Sequence, residues 1–285
     1  MAQQSNPQAI KERQRQEWDA AAAGWRKHDE RLRQLTAPVT QRLVELASIK
    51  PGNRVLDIAC GTGEPALPAA EVVGPEGYVL GTDISAEMLA VAREKARAQG
   101  LANVEFRQVD AEELEEEPDS FDAVTCRWGI MFMPDPTRFL RRAHSALKSG
   151  GRIALSVWGK PERNPWVALP VMVLRKYVDM PTPQPGEPGI FAFADSDRLA
   201  STLREAGFRD VEVEETELPM AVFESGREYW RQTLDIAAPI AAMVERLPAD
   251  LQRTVGDEIA AAAGGGDPDG KVSLSGSPLL AIGVK

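Results

Sequence analysis

The chain has 285 residues and a formal net charge of −10, from 33 Lys plus Arg against 43 Asp plus Glu. Its 43% hydrophobic and 27% charged residues suit a soluble globule with a sizeable core, which excludes intrinsic disorder as the main state. No stretch approaches the ~18 apolar residues of a membrane span, and an acidic chain has no general attraction to the phosphate backbone of nucleic acid.

The length fits two domains or one enlarged α/β domain. Residues 1–16 are polar, with no apolar signal core. Cys60 and Cys126 are the only two cysteines, too few for a disulfide framework, and both lie in apolar stretches where a reduced, buried thiol is the ordinary state. A reducing cytoplasm is the expected location.

In chain order, residues 8–48 precede the first strand. Val39, Leu43 and Leu46 make the last part of that segment an amphipathic helix, and residues 1–48 are expected to form an N-terminal helical lid. From there, short β-type runs at 54–59, 78–82, 104–109, 121–126 and 152–158 alternate with helix-period segments, which argues a parallel sheet with crossover helices. A helix opens at about Glu64. Ser85 can cap the next, with Met88, Leu89, Ala92 and Ala96 inward and Gly100 at its end. Asp135 before Pro136 opens another, with Phe139, Ala143 and Leu147 recurring every four residues until Gly150-Gly151 stop it.

Residues 159–194 contain Pro161, Pro165, Pro170, Pro181, Pro183, Pro185 and Pro188, so much of this insertion should be irregular. Asp195 or Ser196 can cap a helix carrying Leu199, Leu203 and Ala206, with Gly207 beyond it. Stretches 210–218 and 279–284 look like two further strands closing the sheet. Between them, residues 224–264 form a second insertion of short amphipathic helices broken near Pro239 and Pro248. The expected organisation is one domain over 49–285, with lid insertions at about 159–194 and 224–264.

The strongest local signal is Val55-Leu56-Asp57-Ile58-Ala59-Cys60-Gly61-Thr62-Gly63, a strand running into a glycine turn. Gly61, Gly63 and Ala66 also satisfy the loose dinucleotide pattern, with Asp83 following Gly63 by 20 residues. Charge separates the two readings. A pyrophosphate on the helix N-terminus would meet the carboxylate of Glu64, with Asp57 adding to the repulsion. A phosphate-free ligand with a sulfonium and an amino-acid end has the opposite preference, and S-adenosylmethionine is such a ligand. Asp83 ends the second strand, where it can accept from both ribose hydroxyls. Asp110 ends the third, positioned to accept from an adenine amino group. Ligands of open α/β sheets lie at the carboxyl ends of the strands, where these residues cluster.

With these motifs, and with 121–129 and Leu147-Lys148-Ser149-Gly150-Gly151-Arg152, the sequence resembles the class I S-adenosylmethionine-dependent methyltransferases, in the branch of the ubiquinone and menaquinone C-methyltransferases (methyltransferase type 11). The resemblance covers about 50–158. It implies a Rossmann-like α/β fold: a seven-stranded, mostly parallel sheet with helices on both faces, the last strand antiparallel. It also implies methionine-moiety contacts at Ala59, Cys60, Gly61 and the Arg127 backbone, with Gly63 completing the turn. Ribose contact falls to Asp83, adenine packing to Ile84 and Met88, and adenine polar contacts to Asp110 and Ala111. The segments 159–194 and 224–264 depart from the quinone enzymes, so the acceptor is not carried over.

All six tryptophans, Trp18, Trp25, Trp128, Trp158, Trp166 and Trp230, fall in the N-terminal segment, at the tips of strands four and five, or in the two insertions. A lid with an apolar, aromatic underside is expected, its acceptor pocket formed by Trp25, Trp128, Met131, Phe132 and Trp158, with Phe191 and Phe193 as further lining candidates. That favours a small hydrophobic or aromatic acceptor. Should a general base be needed, His28 is the first candidate, since it follows Trp25 in the N-terminal lid and is one of only two histidines; His144 sits among basic residues on a crossover helix. Two distant histidines at no ligand spacing imply no metal. The alternatives are a nicotinamide-dependent oxidoreductase and a non-catalytic S-adenosylmethionine-binding regulatory module. Self-association as a homodimer is left open.

Overall fold

Strands buried on both faces need near-continuous apolar runs, and this chain supplies them. In the computed structural model, which describes residues 6–179 and 187–285, the segments Val55-Leu56, Val79-Leu80, Ala123-Val124 and Ile153-Ala154-Leu155 are almost fully inaccessible. Two helices come first, α1 (Pro7–Lys27) and α2 (Asp29–Leu46), followed by β1 (Arg54–Ile58), α3 (Ala66–Val73), β2 (Tyr78–Asp83), α4 (Ala86–Ala98), β3 (Val104–Gln108) and β4 (Phe121–Arg127). Next come α5 (Pro136–Ala146), β5 (Leu147–Trp158), α6 (Pro165–Leu174), α7 (Ser196–Glu205), β6 (Arg209–Glu215) and β7 (Ala221–Phe223). The chain closes with α8 (Gly226–Ile236), α9 (Ala238–Glu245), α10 (Ala249–Ala263), β8 (Val272–Leu274) and β9 (Pro278–Val284).

The caps act where the side chains allow it. Ser85 Oγ accepts from the Met88 N–H at 3.1 Å, Asp135 from Arg138, and Asp195 from Asp197 and Arg198. One boundary differs from expectation. Leu147 leaves the helix and starts β5 opposite Phe121, because a register shift lets the strand pass Gly150, at φ 79°, before pairing resumes at Arg152.

The seven-stranded sheet has the order β3-β2-β1-β4-β5-β9-β6. Strands β1 to β5 are mutually parallel, and β9 runs antiparallel between β5 and β6. After β1 the chain moves outward to β2 and β3, then returns to place β4 on the other side of β1. The carboxyl ends of β1 and β4 therefore flank the switch point of the sheet, where such folds place their ligands. A second, two-stranded antiparallel sheet pairs β7 with β8. It was not expected, since three residues are too few for alternation to register.

The N-terminal segment divides. Helix α2 packs on β5, β4 and β9 as part of the sheet's own covering layer, with Val39 and Leu43 fully buried. Helix α1 instead joins α8, α9, α10 and α6 in a helical cap, resting on α4, α8 and α9. Two glycines permit this packing. A Cβ at Gly24 of α1 would sit 1.8 Å from the Asp235 carbonyl oxygen of α8, and one at Gly226 of α8 would sit 1.9 Å from that of Ala260 in α10. Within the first insertion Pro165 opens α6 and Pro170 lies inside it. Pro181, Pro183 and Pro185 lie outside the described residues. Among those described, no helix is long and apolar enough to cross a membrane.

Candidate active site

The turn after β1 is built from backbone geometry that few residues tolerate. Ala59, Gly61 and Gly63 have φ of 55°, 51° and 101°, so the chain folds back at once after the strand. Gly63 and Glu64 N–H groups both donate to the Cys60 carbonyl, and Cys60 N–H donates to Thr82 O at 2.9 Å, tying the turn to β2. A Cβ at Gly63 would meet Leu67 Cδ1 at 2.8 Å, whereas one at Gly61 would meet nothing within 4 Å. Gly63 thus serves turn and packing, while Gly61 leaves space open beside the cavity that it lines.

Asp83 links this turn to the next loop. Its Oδ2 accepts from the Gly61 N–H at 2.9 Å and its Oδ1 from the Ser85 N–H at 2.8 Å. Burial pushes its carboxyl up to about 6, only partly offset by those N–H donors. Asp57 lies deeper. Burial pushes it up to about 7, against the pull of the Thr125 hydroxyl, which donates to Oδ1 at 2.8 Å, and of the charge on Arg127; Oδ2 has no partner in hydrogen-bond geometry. Burial also drives the Cys60 thiol well above its usual range, so it is a neutral packing group and no nucleophile.

These residues face a cavity of about 260 Å³ between the carboxyl ends of the strands and the helical cap. Ile84, Met88, Asp110 and Ala111 line it from the loops and helix after β2 and β3, and Trp128, Met131, Phe132, Trp158 and Trp166 from beyond β4 and β5. Trp128 and Trp158 stack at 4.7 Å and 14°, and Trp166 meets Trp158 edge-on. Trp128 itself has φ 56°, an uncommon backbone state for a bulky side chain.

Helix α1 forms much of the roof. Lys11 reaches Asp110 Oδ2 at 2.7 Å and Glu112 at 2.6 Å, Gln14 donates to Phe132 O at 2.9 Å, and the Ser85 hydroxyl donates to Asp19 at 2.6 Å. Trp18 packs edge-on against Phe132, and Trp25 Nε1 donates to Ile236 O at 2.9 Å. Lys11, Gln14, Trp18 and Trp25 all line the cavity. Sequence reasoning passed over Lys11, Gln14 and Asp19 because they stand in a polar run that reads as a solvated face. Their signal is the spacing: 11, 14, 18 and 25 recur on one helical face.

The cavity gathers nearly every candidate taken from the sequence. Ala59, Cys60, Gly61, Asp83, Ile84, Met88, Asp110, Ala111 and Arg127 line it, as do Trp25, Trp128, Met131, Phe132 and Trp158. Gly63 does not, for the packing reason given above. Neither Phe191 nor Phe193 lines it; Phe193 is buried under the Arg198 guanidinium. His28 also lies outside the lining. It sits at the junction of α1 and α2, where its Nε2 lies 2.7 Å from Asp235, a carboxylate shared with Lys27.

The donor set fits S-adenosylmethionine. Carboxylates stand at the ends of β2 and β3 for hydroxyl and amino donors, Ile84 and Met88 provide an apolar ledge, and the space at Gly61 lets a ligand approach the backbone. A diphosphate fits poorly. The side chain of Glu64, a buried residue, faces the cavity at the helix entrance where the phosphates would rest. Asp57 adds less to that exclusion than its residue type implies, because burial favours its neutral form.

A family model described as "Methyltransferase domain" matches residues 49–166. The ubiquinone/menaquinone biosynthesis C-methyltransferase UbiE of Ectopseudomonas mendocina is 42% identical over 126 residues, 44% of this chain and 49% of that protein. The demethylmenaquinone methyltransferase of Geobacillus kaustophilus is 34% identical over 178 residues, 58% of this chain and 75% of that protein. The chain spans about half the length of most of the curated relatives it matches. In structure it is similar to the YcgJ protein of Bacillus subtilis, with a TM-score of 0.55, 20% identity and coverage of 86% and 97% of the two chains, which shows a shared fold.

Proposed function

The chain belongs to the class I S-adenosylmethionine-dependent methyltransferases, in the branch of the ubiquinone and menaquinone C-methyltransferases, and from that premise we propose that it transfers a methyl group to a small apolar or aromatic acceptor. One observation carries the reading: a single cavity joins the turn after β1 and the carboxylates after β2 and β3 to a chamber walled by Trp128, Trp158 and Trp166. A cofactor site and an apolar acceptor site are thereby continuous.

When bound, the cofactor supplies a sulfonium-activated methyl group. The chain's own task is then positioning and exclusion of water, and oriented proximity can supply ~7–11 kcal/mol of the barrier. The turn 59–63 offers backbone groups to the amino-acid end, Asp83 takes the ribose hydroxyls, Ile84 and Met88 hold the adenine face, and Asp110 accepts from its amino group. Helix α1 closes over them. No histidine is among the lining residues, and we assign no general base. His28, committed to Asp235 at the helix junction, is a structural residue in this account.

Calorimetric titration with S-adenosylhomocysteine tests the proposal. Asp83→Asn keeps a side-chain oxygen for the Ser85 N–H but loses the charge, and affinity should fall about tenfold or more, as for a charge-assisted hydrogen bond. NAD(H) should give no binding heat. Binding of NAD(H) in place of S-adenosylhomocysteine would refute the methyltransferase reading.

A further inference from the structure

Among the described residues, Arg127 is the one guanidinium in the cavity wall, and it has no counter-ion in contact. Among the described residues its Nη1 donates to the hydroxyls of Thr36 at 2.6 Å and Thr40 at 3.2 Å, both on α2, while Nε and Nη2 have no protein acceptor. Glu64 and Asp57 act on it only from beyond ion-pair distance, and removal from water holds its pKa below the usual guanidinium value. Its carbon lies 5.0 Å from the centre of the Trp128 ring, the ring that stacks on Trp158. The Trp128 Nε1–H is itself fully buried and, among the described residues, has no acceptor. A guanidinium at the edge of an apolar chamber is costly to leave without an anionic partner.

We infer that Arg127 selects the acceptor, its guanidinium taking an anionic oxygen of a molecule whose apolar body lies against the Trp128–Trp158 stack. The side chain is directed away from the role that resemblance gives its backbone, toward α2 and the aromatic wall. This inference rests on the methyltransferase reading and adds the charge of the acceptor to it.

The experiment uses the full chain saturated with S-adenosylhomocysteine and two matched probes, 2-naphthoate and 2-naphthamide, titrated calorimetrically at neutral pH. Wild type should bind the carboxylate about tenfold or more tightly than the amide. Arg127→Met should bind the two equally, and Arg127→Lys, which keeps the charge but not the fork, should retain part of the preference. Affinity for S-adenosylhomocysteine should change by less than about threefold in both variants, which also reports that they are folded. The inference is overturned if wild type shows no preference or binds neither probe, or if the preference survives in Arg127→Met. It is equally overturned if Arg127→Met loses about tenfold or more in S-adenosylhomocysteine affinity, because the guanidinium then serves the cofactor's own carboxylate. Failure of wild type to bind S-adenosylhomocysteine would instead remove the methyltransferase reading on which the inference stands.

Discussion

Lys11, in the second turn of α1, places its ammonium 2.7 Å from Asp110 at the tip of β3, and the same ammonium meets Glu112 at 2.6 Å. The Lys11 and Glu112 side chains are only 9% and 4% exposed, so this is a buried ion triad and not a surface pair. It fastens the cap to the sheet at the adenine end of the cavity, and one arm of it is the carboxylate assigned to the adenine amino group.

Breaking such a triad from one side leaves two carboxylates without their cation, a loss of about 3–5 kcal/mol for a buried pair. Lys11→Met should therefore release α1 locally before the sheet unfolds. Amide exchange in α1 should accelerate while the β1 and β4 amides stay protected, and S-adenosylhomocysteine affinity should drop. The double variant Lys11→Met/Glu112→Gln should recover part of the loss. Uniform exchange across the molecule would contradict a local latch.

Asp57 makes stability depend on pH. A carboxyl whose native pKa is about 7 holds its proton in the folded state after the unfolded chain has lost it. Stability should fall as pH rises from about 4 to about 7, by up to ~4 kcal/mol from this group at 1.36 kcal/mol per pKa unit. Asp57→Asn, neutral at every pH, should match wild type near pH 4 and exceed it increasingly toward pH 8 in urea melts. A difference that stays flat with pH would mean that Asp57 is ionised in the native state.

The middle of the sheet was legible because β1, β2, β4 and β5 are covered on both faces and so read as apolar runs, whereas the exposed edge strands β3 and β6 show only in their alternation. Ser85, Asp135 and Asp195 also cap where their neighbours predict. Most of the cavity was legible for a related reason: ligand residues of this architecture sit at strand ends, which the runs locate. Side-chain direction was not. Whether Arg127 turns to solvent or to Thr36 depends on α2 packing against the sheet, and the protonation of Asp57 is set by burial that its neighbours in sequence do not encode. Lys11 escaped notice because a single lysine in a polar helix is ordinarily solvated. His28, selected for its rarity, proved to be held by a contact 207 residues away in sequence.

Gly24 should tolerate no side chain. The carbonyl oxygen of Asp235 occupies the place of its Cβ, at 1.8 Å, and belongs to helical backbone that cannot rotate away. Gly24→Ala should push α1 off α8 at a cost of about 1–3 kcal/mol, as for other overpacked interiors. The readout is thermal melting together with S-adenosylhomocysteine titration, since a displaced α1 uncovers the cavity. An unchanged melting temperature would show that the two helices are not in close contact.

Gly129 holds the tips of β1 and β4 together at the switch point. A Cβ there would lie 2.5 Å from the Ala59 Cβ and 2.8 Å from the Cys126 sulfur. Both neighbours are constrained, Ala59 by its left-handed backbone and Cys126 by complete burial. Gly129→Ala must therefore part the turn carrying Gly61 from the loop carrying Arg127 and Trp128, and with it the two halves of the cavity. Affinity for S-adenosylhomocysteine should fall about tenfold or more, the scale expected when positioning groups shift by a fraction of an ångström. Gly189→Ala, where a Cβ meets nothing within 4 Å, is the matched control and should leave both affinity and stability within about 0.5 kcal/mol of wild type. If the two variants behave alike, the close approach of Ala59 and Gly129 has no part in shaping the site.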